Sequence, residues 1–162
     1  RAKMIKIDLL NVINSVAEDF NSDALISKKN ITININDKNL NGSKLSVLGV
    51  ESKLEQIVAN LLENAVSFSP SNGKISVTCS IKKKVAQLII EDEGPGFNEK
   101  NINQIFNRFY SNRPEKFGEH SGLGLNIVKN IVELHGGSII ASNQTNISKK
   151  GAKVEVLLPI YK

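Results

Sequence analysis

Two asparagines, Asn60 and Asn64, lie four residues apart in a segment whose apolar residues recur at helical spacing. The repeat from Leu54 to Val66 predicts a helix over Ser52–Phe68. Residues four apart share one helix face, so the two amides stand side by side at the border of the buried stripe. Amide oxygens suit a hard cation such as Mg²⁺ when phosphate and water complete its shell, although border residues without a ligand show the same pattern.

A carboxylate follows the apolar strand Leu88–Ile90, in the sequence Asp92-Glu93-Gly94-Pro95-Gly96. An aspartate at the end of a strand could accept a hydrogen bond from an exocyclic amine such as that of adenine. The glycines at 94 and 96 would let a ligand come close to the backbone. A plain acidic turn has the same composition, so the segment alone leaves both interpretations open.

The third candidate segment, Ser121-Gly122-Leu123-Gly124-Leu125, opens a predicted helix. Backbone N–H groups at such a helix start can converge on an anion. The spacing is neither the dinucleotide pattern, because Ile127 stands where a third glycine is needed, nor a P-loop. Arg108 and Arg113, which flank Phe-Tyr just before this segment, could each pair with a phosphate oxygen.

The two histidines and the single cysteine allow little other chemistry. His120 lies in a polar loop where it could contact phosphate, and His135 precedes a Gly-Gly helix end, where the helix dipole favours it. Cys79 shares its strand parity with apolar residues, which predicts a buried structural thiol. Because it is the single cysteine of the sequence, an internal disulfide is excluded. The histidines and cysteine have no metal-ligand spacing.

The chain has 162 residues, 40% of them hydrophobic and 23% charged, which predicts a single domain over 1–162 with a real core. No apolar run approaches the roughly 18–20 residues that cross a bilayer. The net charge is +5, but the lysine clusters 82–84, 28–29 and 149–150 lie between apolar segments and are interpreted as solvated turns. Few aromatic residues are available to stack on bases, so nucleic acid is not expected as a partner.

Periodicity and turn residues predict the order of the elements. They are a helix capped by Asp8 and ending at Phe20, strands Ile31–Ile35 and Leu45–Gly49, the Ser52–Phe68 helix, a hairpin of Ile75–Ile81 and Val85–Glu91, a short helix near Asn101–Phe106, a polar loop Ser111–Ser121, a helix Gly122–His135, and strands Ser138–Ser142 and Lys153–Ile160. Strands and helices interleave without strict alternation, which favours a mixed sheet with helices on one face.

The order of these motifs resembles that of bacterial sensor histidine kinases. Asn60-x-x-x-Asn64-Ala65, Asp92-x-Gly94-x-Gly96, Phe106-x-x-Phe109 and Gly122-x-Gly124-Leu125 look like the N, G1, F and G2 boxes of that family. The resemblance extends from Ile5 to Ile160. Within it, the stretch Ile105–Leu125 looks closest to ChvG-type sensor kinases of alphaproteobacteria.

The resemblance implies an ATP-binding α/β (α+β) two-layer sandwich of the GHKL, or Bergerat, type. Its mixed sheet of about five strands would carry three main helices on one face. ATP and Mg²⁺ are the implied cofactors. Asp92 would hold the adenine amine, with Gly94 and Gly96 shaping that end of the pocket. The remaining implied contacts are Asn60 and Asn64 to Mg²⁺ and phosphate, Gly122, Leu123, Gly124 and Leu125 around the phosphates, Arg108 toward the γ-phosphate, and Ser111–Ser121 as the ATP lid.

Two features depart from the family's pattern. Many relatives have a lysine or arginine one turn after the second N-box asparagine, where this chain has Ser67, so Arg108, Arg113 or His120 would have to supply that contact. The family's phosphoacceptor histidine, which lies in a helical hairpin before the ATP domain, is missing. We therefore expect residues 1–7 to link this domain to a dimerisation domain of a longer protein. The domain would be cytoplasmic and attached to the inner membrane only through upstream segments. Its second partner would be a cognate response regulator.

The implied reaction transfers the γ-phosphate of ATP to a histidine on that separate dimerisation domain. Related gyrase-type ATPases carry a glutamate at the position of Asn60, and an amide cannot act as a general base, which argues against efficient ATP hydrolysis. An anti-sigma-factor-type serine kinase and a non-catalytic nucleotide-binding module are the alternative interpretations. The F-box-like segment and the His-Gly-Gly ending favour the sensor kinase.

Overall fold

The computed structural model describes residues 3–98, 102, 104–107, 123–144 and 150–161. In these ranges the helices are α1 (Leu9–Phe20), α2 (Ala24–Lys29), α3 (Glu51–Phe68) and α4 (Leu123–Leu134). The strands are β1 (Ile5–Asp8), β2 (Thr32–Asp37), β3 (Ser46–Gly49), β4 (Lys74–Lys82), β5 (Val85–Glu91), β6 (Ser138–Asn143) and β7 (Ala152–Pro159).

The main sheet has the strand order β2-β4-β5-β7-β6. Strand β2 runs parallel to β4, and the other neighbours are antiparallel. Parallel strands need a crossover connection, and here the chain passes through β3 and α3 between β2 and β4. The mixed sheet of five strands predicted from the sequence is therefore confirmed.

One hydrophobic core joins the sheet to the helices. Alternate side chains of the strands are buried, among them Val77, Leu88 and Val156, and they belong to the same cluster as the apolar stripes of α1, α3 and α4. The two-layer arrangement follows because the apolar face of the sheet and the apolar stripes of the helices are buried by packing against each other. Cys79 is fully buried in this core, as predicted, and its burial raises the pKa of the thiol to about 11, with smaller effects from Asp37 and Asp8.

Two elements near the N-terminus were not predicted. Strand β1 pairs antiparallel with β3 in a separate two-stranded sheet, with Ile7 opposite Val47. Asp8 serves both neighbours, since its Oδ1 accepts from Leu10 N at 3.2 Å as the predicted cap of α1 and from Leu45 N at 3.2 Å. Helix α2 is too short for a periodic signal, and only its cap, Asp23, could have indicated it.

The predicted segments between β5 and α4 are described only in part. Ile102 and residues 104–107 form a turn in which Ile105 N donates to Ile102 O, and the rest of the predicted 101–106 helix lies outside the described residues. In the described residues α4 covers Leu123–Leu134, and its predicted first residue, Gly122, lies outside them. None of the helices in the described ranges has the length and apolarity to span a membrane.

Candidate functional site

The carboxylate of Asp92 is held by the backbone at the end of β5. Its side chain is buried, with 3% of its surface exposed. Oδ1 accepts hydrogen bonds from Gly94 N at 2.9 Å and from Ala152 N at 3.2 Å, while the Asp92 backbone N–H donates to Ala152 O at 3.1 Å. The orientation of this carboxylate is therefore set by the loop that follows it and by the start of β7.

The glycines at 94 and 96 are required by packing within the protein. A Cβ at Gly94 would collide with the carbonyl oxygen of Phe68, at the end of α3. Gly96 has a φ of +79°, and a Cβ there would lie 2.7 Å from Asn143 Oδ1. We expected these glycines to admit a ligand, but the close approaches in the described part of the chain come from its own atoms. They seat the Asp92 loop against α3 and β6.

Asn60 and Asn64 lie where the helical period placed them, on one side of α3 and half-buried. Leu61 and Ala65, which follow them, are buried in the core. Within the part of the chain that the structure describes, neither asparagine side chain makes a hydrogen bond. Half-buried amides with no hydrogen bond to the described residues could contact a ligand, and their neutral oxygens are a suitable donor type for Mg²⁺.

The side chains that most often bind metals do not cluster in the described residues. None of their His, Cys, Asp and Glu side chains come together in a group of three that could hold an ion. The donor set on α3 consists of neutral amides only. A cation held there would need anionic oxygens from the ligand itself, as the phosphates of a nucleotide would provide.

Lys29 secures the C-terminal end of the asparagine helix. Its Nζ donates to the carbonyl oxygens of Val66 at 3.2 Å, Ser67 at 3.0 Å and Ser69 at 2.9 Å. These carbonyls have no partner further along the helix, and a cation beside them also complements the helix dipole. Desolvation by burial lowers the pKa of Lys29. The prediction that Lys28 and Lys29 are both solvated is wrong for Lys29.

The Lys29 contact also concerns Ser67, where many relatives of the resembled family have a cationic residue. Ser67, which stands where many relatives of the resembled family have a lysine or arginine, has a buried side chain, with 8% of its surface exposed. The ammonium of Lys29 lies beside the Ser67 carbonyl oxygen, but it is bound to three backbone oxygens. A positive charge is therefore present at this end of α3, directed at the helix terminus.

The first turn of α4 leaves space beside Gly124. An added Cβ at this exposed glycine would meet no atom within 4 Å, so packing with the described residues does not require a glycine here. Leu125, one residue later, is half-buried and packs against the core. Of the other predicted phosphate contacts, Arg108 and Gly122 lie outside the described residues, as do Arg113, His120 and the predicted lid Ser111–Ser121.

His135 joins α4 to the start of α3. Its Nδ1 donates to Ile131 O at 2.8 Å, and its Nε2 accepts from Val50 N at 3.2 Å. Val50 is the N-cap of α3 and provides no side-chain cap of its own, so the imidazole satisfies a donor that the helix leaves free. We expected His135 to be a helix-end residue favoured by the dipole. His135 does follow the last residue of α4, and it is in addition buried, with both ring nitrogens engaged in the fold.

Two residues that the sequence did not single out hold the Asp92 loop. Asn143 bonds to both backbone groups of Phe97, and Gln144 Nε2 donates to Asp92 O at 2.5 Å. One signal was available, because Ile139 and Ala141 alternate on the inner face of β6 and Asn143 continues that parity. A polar residue at a core-facing position indicates a specific hydrogen-bond partner.

Comparisons with known proteins identify the family of the chain. A family model described as histidine kinase-, DNA gyrase B-, and HSP90-like ATPase (HATPase_c) matches residues 49–162. Sensor protein ChvG of Rhizobium meliloti is 38% identical over 148 residues, which cover 88% of this chain and 26% of that protein. The chain thus spans about a quarter of the length of the curated relatives it matches first.

Solved structures give the same result for the fold. The catalytic domain of histidine kinase ThkA, in a nucleotide-free form, superimposes with a TM-score of 0.82 at 26% identity, covering 98% of each chain. Histidine kinase ThkA in complex with response regulator protein TrrA matches with a TM-score of 0.77 at 25% identity, covering 98% of this chain and 42% of that one.

Proposed function

Because the chain belongs to the family of histidine kinase-, DNA gyrase B- and HSP90-like ATPases, we propose that it is the ATP-binding catalytic domain of a two-component sensor histidine kinase. One observation carries the proposal. A buried, backbone-held carboxylate adjoins the end of a helix that presents two asparagine amides without protein hydrogen bonds in the described residues. Such a site has one end suited to an amine and another suited to a cation with phosphate.

The adenine end is assigned to Asp92. Its carboxylate would accept a hydrogen bond from the exocyclic amine, and the two backbone N–H groups on Oδ1 hold it in position before the ligand arrives. Gly94 and Gly96 shape this end by allowing the loop to pack against Phe68 and Asn143. An acceptor that the fold already holds in place adds little entropic cost on binding.

The phosphate end is assigned to α3 and α4. Asn60 and Asn64 would hold Mg²⁺, which neutralises phosphate charge when bound. Backbone N–H groups at the start of α4, from Gly122 through Leu123 and Gly124 to Leu125, would face the phosphates, where the helix dipole favours an anion. Arg108 would reach toward the γ-phosphate, and the lid Ser111–Ser121 would exclude water. The open space beside Gly124 supports this assignment.

The nucleophile would come from another domain. In the transfer, a bond forms between the phosphorus and a ring nitrogen of a partner histidine while the bond from phosphorus to the ADP oxygen breaks. His135 cannot serve, because Ile131 and Val50 occupy both of its nitrogens. Asn60 cannot activate water as a base, so the site is suited to holding ATP for the partner.

The proposed partners follow because the phosphate acceptor would lie on another domain. The first is a dimerisation and histidine-phosphotransfer domain of the same full-length protein. The second is a cognate response regulator, since one structural relative is described as bound to its response regulator. We place the domain on the cytoplasmic side of an inner-membrane sensor, where ATP is available, with any membrane contact made by other segments.

Calorimetric titration with ADP and Mg²⁺ tests the proposal. We expect the parent chain to bind, and Asn64→Ala to bind Mg–ADP at least about tenfold more weakly, because one charge-assisted contact is lost. Asn14→Ala, at an exposed position on α1, is the matched control and should bind as the parent does. Incubation with labelled ATP should leave no stable label on the chain alone. A parent that binds no nucleotide would contradict the proposal.

A further inference from the structure

The loop from Asp92 to Phe97 is held at both ends by the hairpin formed by β6 and β7. At its start, Gln144 Nε2 donates to Asp92 O at 2.5 Å, and Asp92 exchanges two hydrogen bonds with Ala152. At its far end, Asn143 Oδ1 accepts from Phe97 N at 2.6 Å while Asn143 Nδ2 donates to Phe97 O at 2.9 Å. These hydrogen bonds fix both ends of the loop through contacts within the protein.

The two bonds to Phe97 replace a missing strand neighbour. Beyond β5 the backbone groups of Phe97 are no longer part of a ladder, and Phe97 itself is buried, so its N–H and C=O need partners. A single side-chain amide supplies one acceptor and one donor in the required arrangement. An aspartate or an alanine at this position could not provide both.

Gly96 makes the contact specific. Its φ of +79° turns the chain so that its Cα faces the Asn143 side chain, and a Cβ would lie 2.7 Å from Asn143 Oδ1. The left-handed residue and the amide thus depend on each other. Together they determine where the loop, and with it the Asp92 carboxylate, stands relative to the end of α3.

We infer that Asn143 is a positioning residue for adenine recognition, acting through the Asp92–Phe97 loop. The inference rests on the proposed function, because it assigns Asn143 to the binding of an adenine nucleotide. Without the amide the loop would sample other conformations, and binding would then pay for its ordering. The contact of Asp92 with the exocyclic amine would weaken, whereas contacts made by α3 and α4 to the phosphates would remain.

Two variants test this position. Asn143→Ala removes both bonds, and Asn143→Asp keeps an acceptor for Phe97 N but places a carboxylate against Phe97 O. Each should bind ADP about tenfold more weakly than the parent in calorimetric titration. Asn14→Asp, the same chemical change at an exposed position of α1, should bind as the parent does. Far-UV circular dichroism should give the same helix and strand content for all four proteins.

The decisive measurement is selectivity between ADP and IDP, whose base carries a carbonyl in place of the amine. If Asn143 positions the reading carboxylate, the ADP-to-IDP affinity ratio falls toward one in both variants. A purely structural role would weaken both nucleotides equally and leave the ratio unchanged, and this would overturn the inference. Unaltered ADP affinity in Asn143→Ala would do the same.

The inference and the proposed function fail in different ways. If the parent binds ADP with a preference over IDP and the variants keep that preference, only the role of Asn143 is wrong. If the parent binds neither nucleotide, both ideas are wrong. If Asn143→Ala does not fold, the ADP-to-IDP affinity ratio of Asn143→Asp decides whether the inference holds. In addition, the Phe97 amide of the parent must be protected from hydrogen exchange.

Discussion

The substitution Asp92→Asn separates the structural role of this carboxylate from its role in recognition. The change preserves shape, and the two N–H groups of Gly94 and Ala152 require an acceptor at the Oδ1 position. The asparagine carbonyl is therefore expected to take that place, and the NH₂ group to replace Oδ2. In the proposed site, the hydrogen-bond acceptor for the adenine amine becomes a donor, while the loop keeps its anchor.

The effect on stability should be modest. Two charge-assisted bonds, worth about 1.5–3 kcal/mol each, become neutral bonds worth about 0.5–1.5 kcal/mol. Removal of a buried charge offsets part of this loss, because the carboxylate is only 3% exposed. We expect the free energy of unfolding to fall by about 1–2 kcal/mol, measured by urea denaturation.

The effect on ADP binding should be larger. The variant loses a charge-assisted bond to the adenine amine and sets one donor against another, for a total of about 3 kcal/mol, or roughly 100-fold in Kd. IDP presents a carbonyl at that position, so the new NH₂ group can donate to it. The preference of the parent for ADP over IDP should therefore disappear or reverse in Asp92→Asn.

Calorimetric titrations of both nucleotides into the parent, Asp92→Asn and the control Asp19→Asn provide the assay. Asp19 is exposed on α1, and its substitution makes the same change of charge. The reasoning would be refuted if Asp92→Asn bound ADP within twofold of the parent and kept the same preference over IDP. A reversal of preference would establish which group reads the base.

Three further predictions concern positions around the site. Gly124→Ala should raise the free energy of unfolding by about 0.5–1 kcal/mol, because the new Cβ meets no atom of the described residues within 4 Å and alanine favours a helix. It should nevertheless weaken Mg–ADP binding about tenfold, and unchanged affinity would argue against phosphate contact at this turn. Lys29→Met should lower the free energy of unfolding by about 1–3 kcal/mol, because the bonds to three helix-end carbonyl oxygens are lost. The control Lys28→Met, at an exposed position, should change it little, and equal urea midpoints for the two variants would contradict the role of Lys29. The pKa of the Cys79 thiol is 9.0 in the unfolded chain and about 11 in the native protein, so the free energy of unfolding should fall as the pH rises from 9.0 to 11. A thiol reagent at pH 8 should label only the unfolded chain. A pH dependence that persists in Cys79→Ala would show that other groups cause it.

The elements that carry the candidate site could be predicted because their signals are local. The apolar period of α3 places Asn60 and Asn64 on one face wherever the helix packs. Alternation along β5 brings Asp92 to the end of a buried strand, and Asp8 caps α1 through its own neighbour Leu10. In each case the residues concerned lie within a few positions of one another, so their spacing alone indicates the geometry.

The contacts that hold the site together could not be predicted, because they join side chains to distant backbone groups. Asn143 reaches Phe97 across 46 positions, Lys29 reaches Ser67 across 38, and His135 reaches Val50 across 85. A backbone N–H or C=O is the same in every residue, so the partner leaves no mark in the sequence. By itself the sequence determined which residues are candidates for the chemistry. Only the tertiary structure decided what holds them in place, because that depends on which chain ends and turns the packed core brings together.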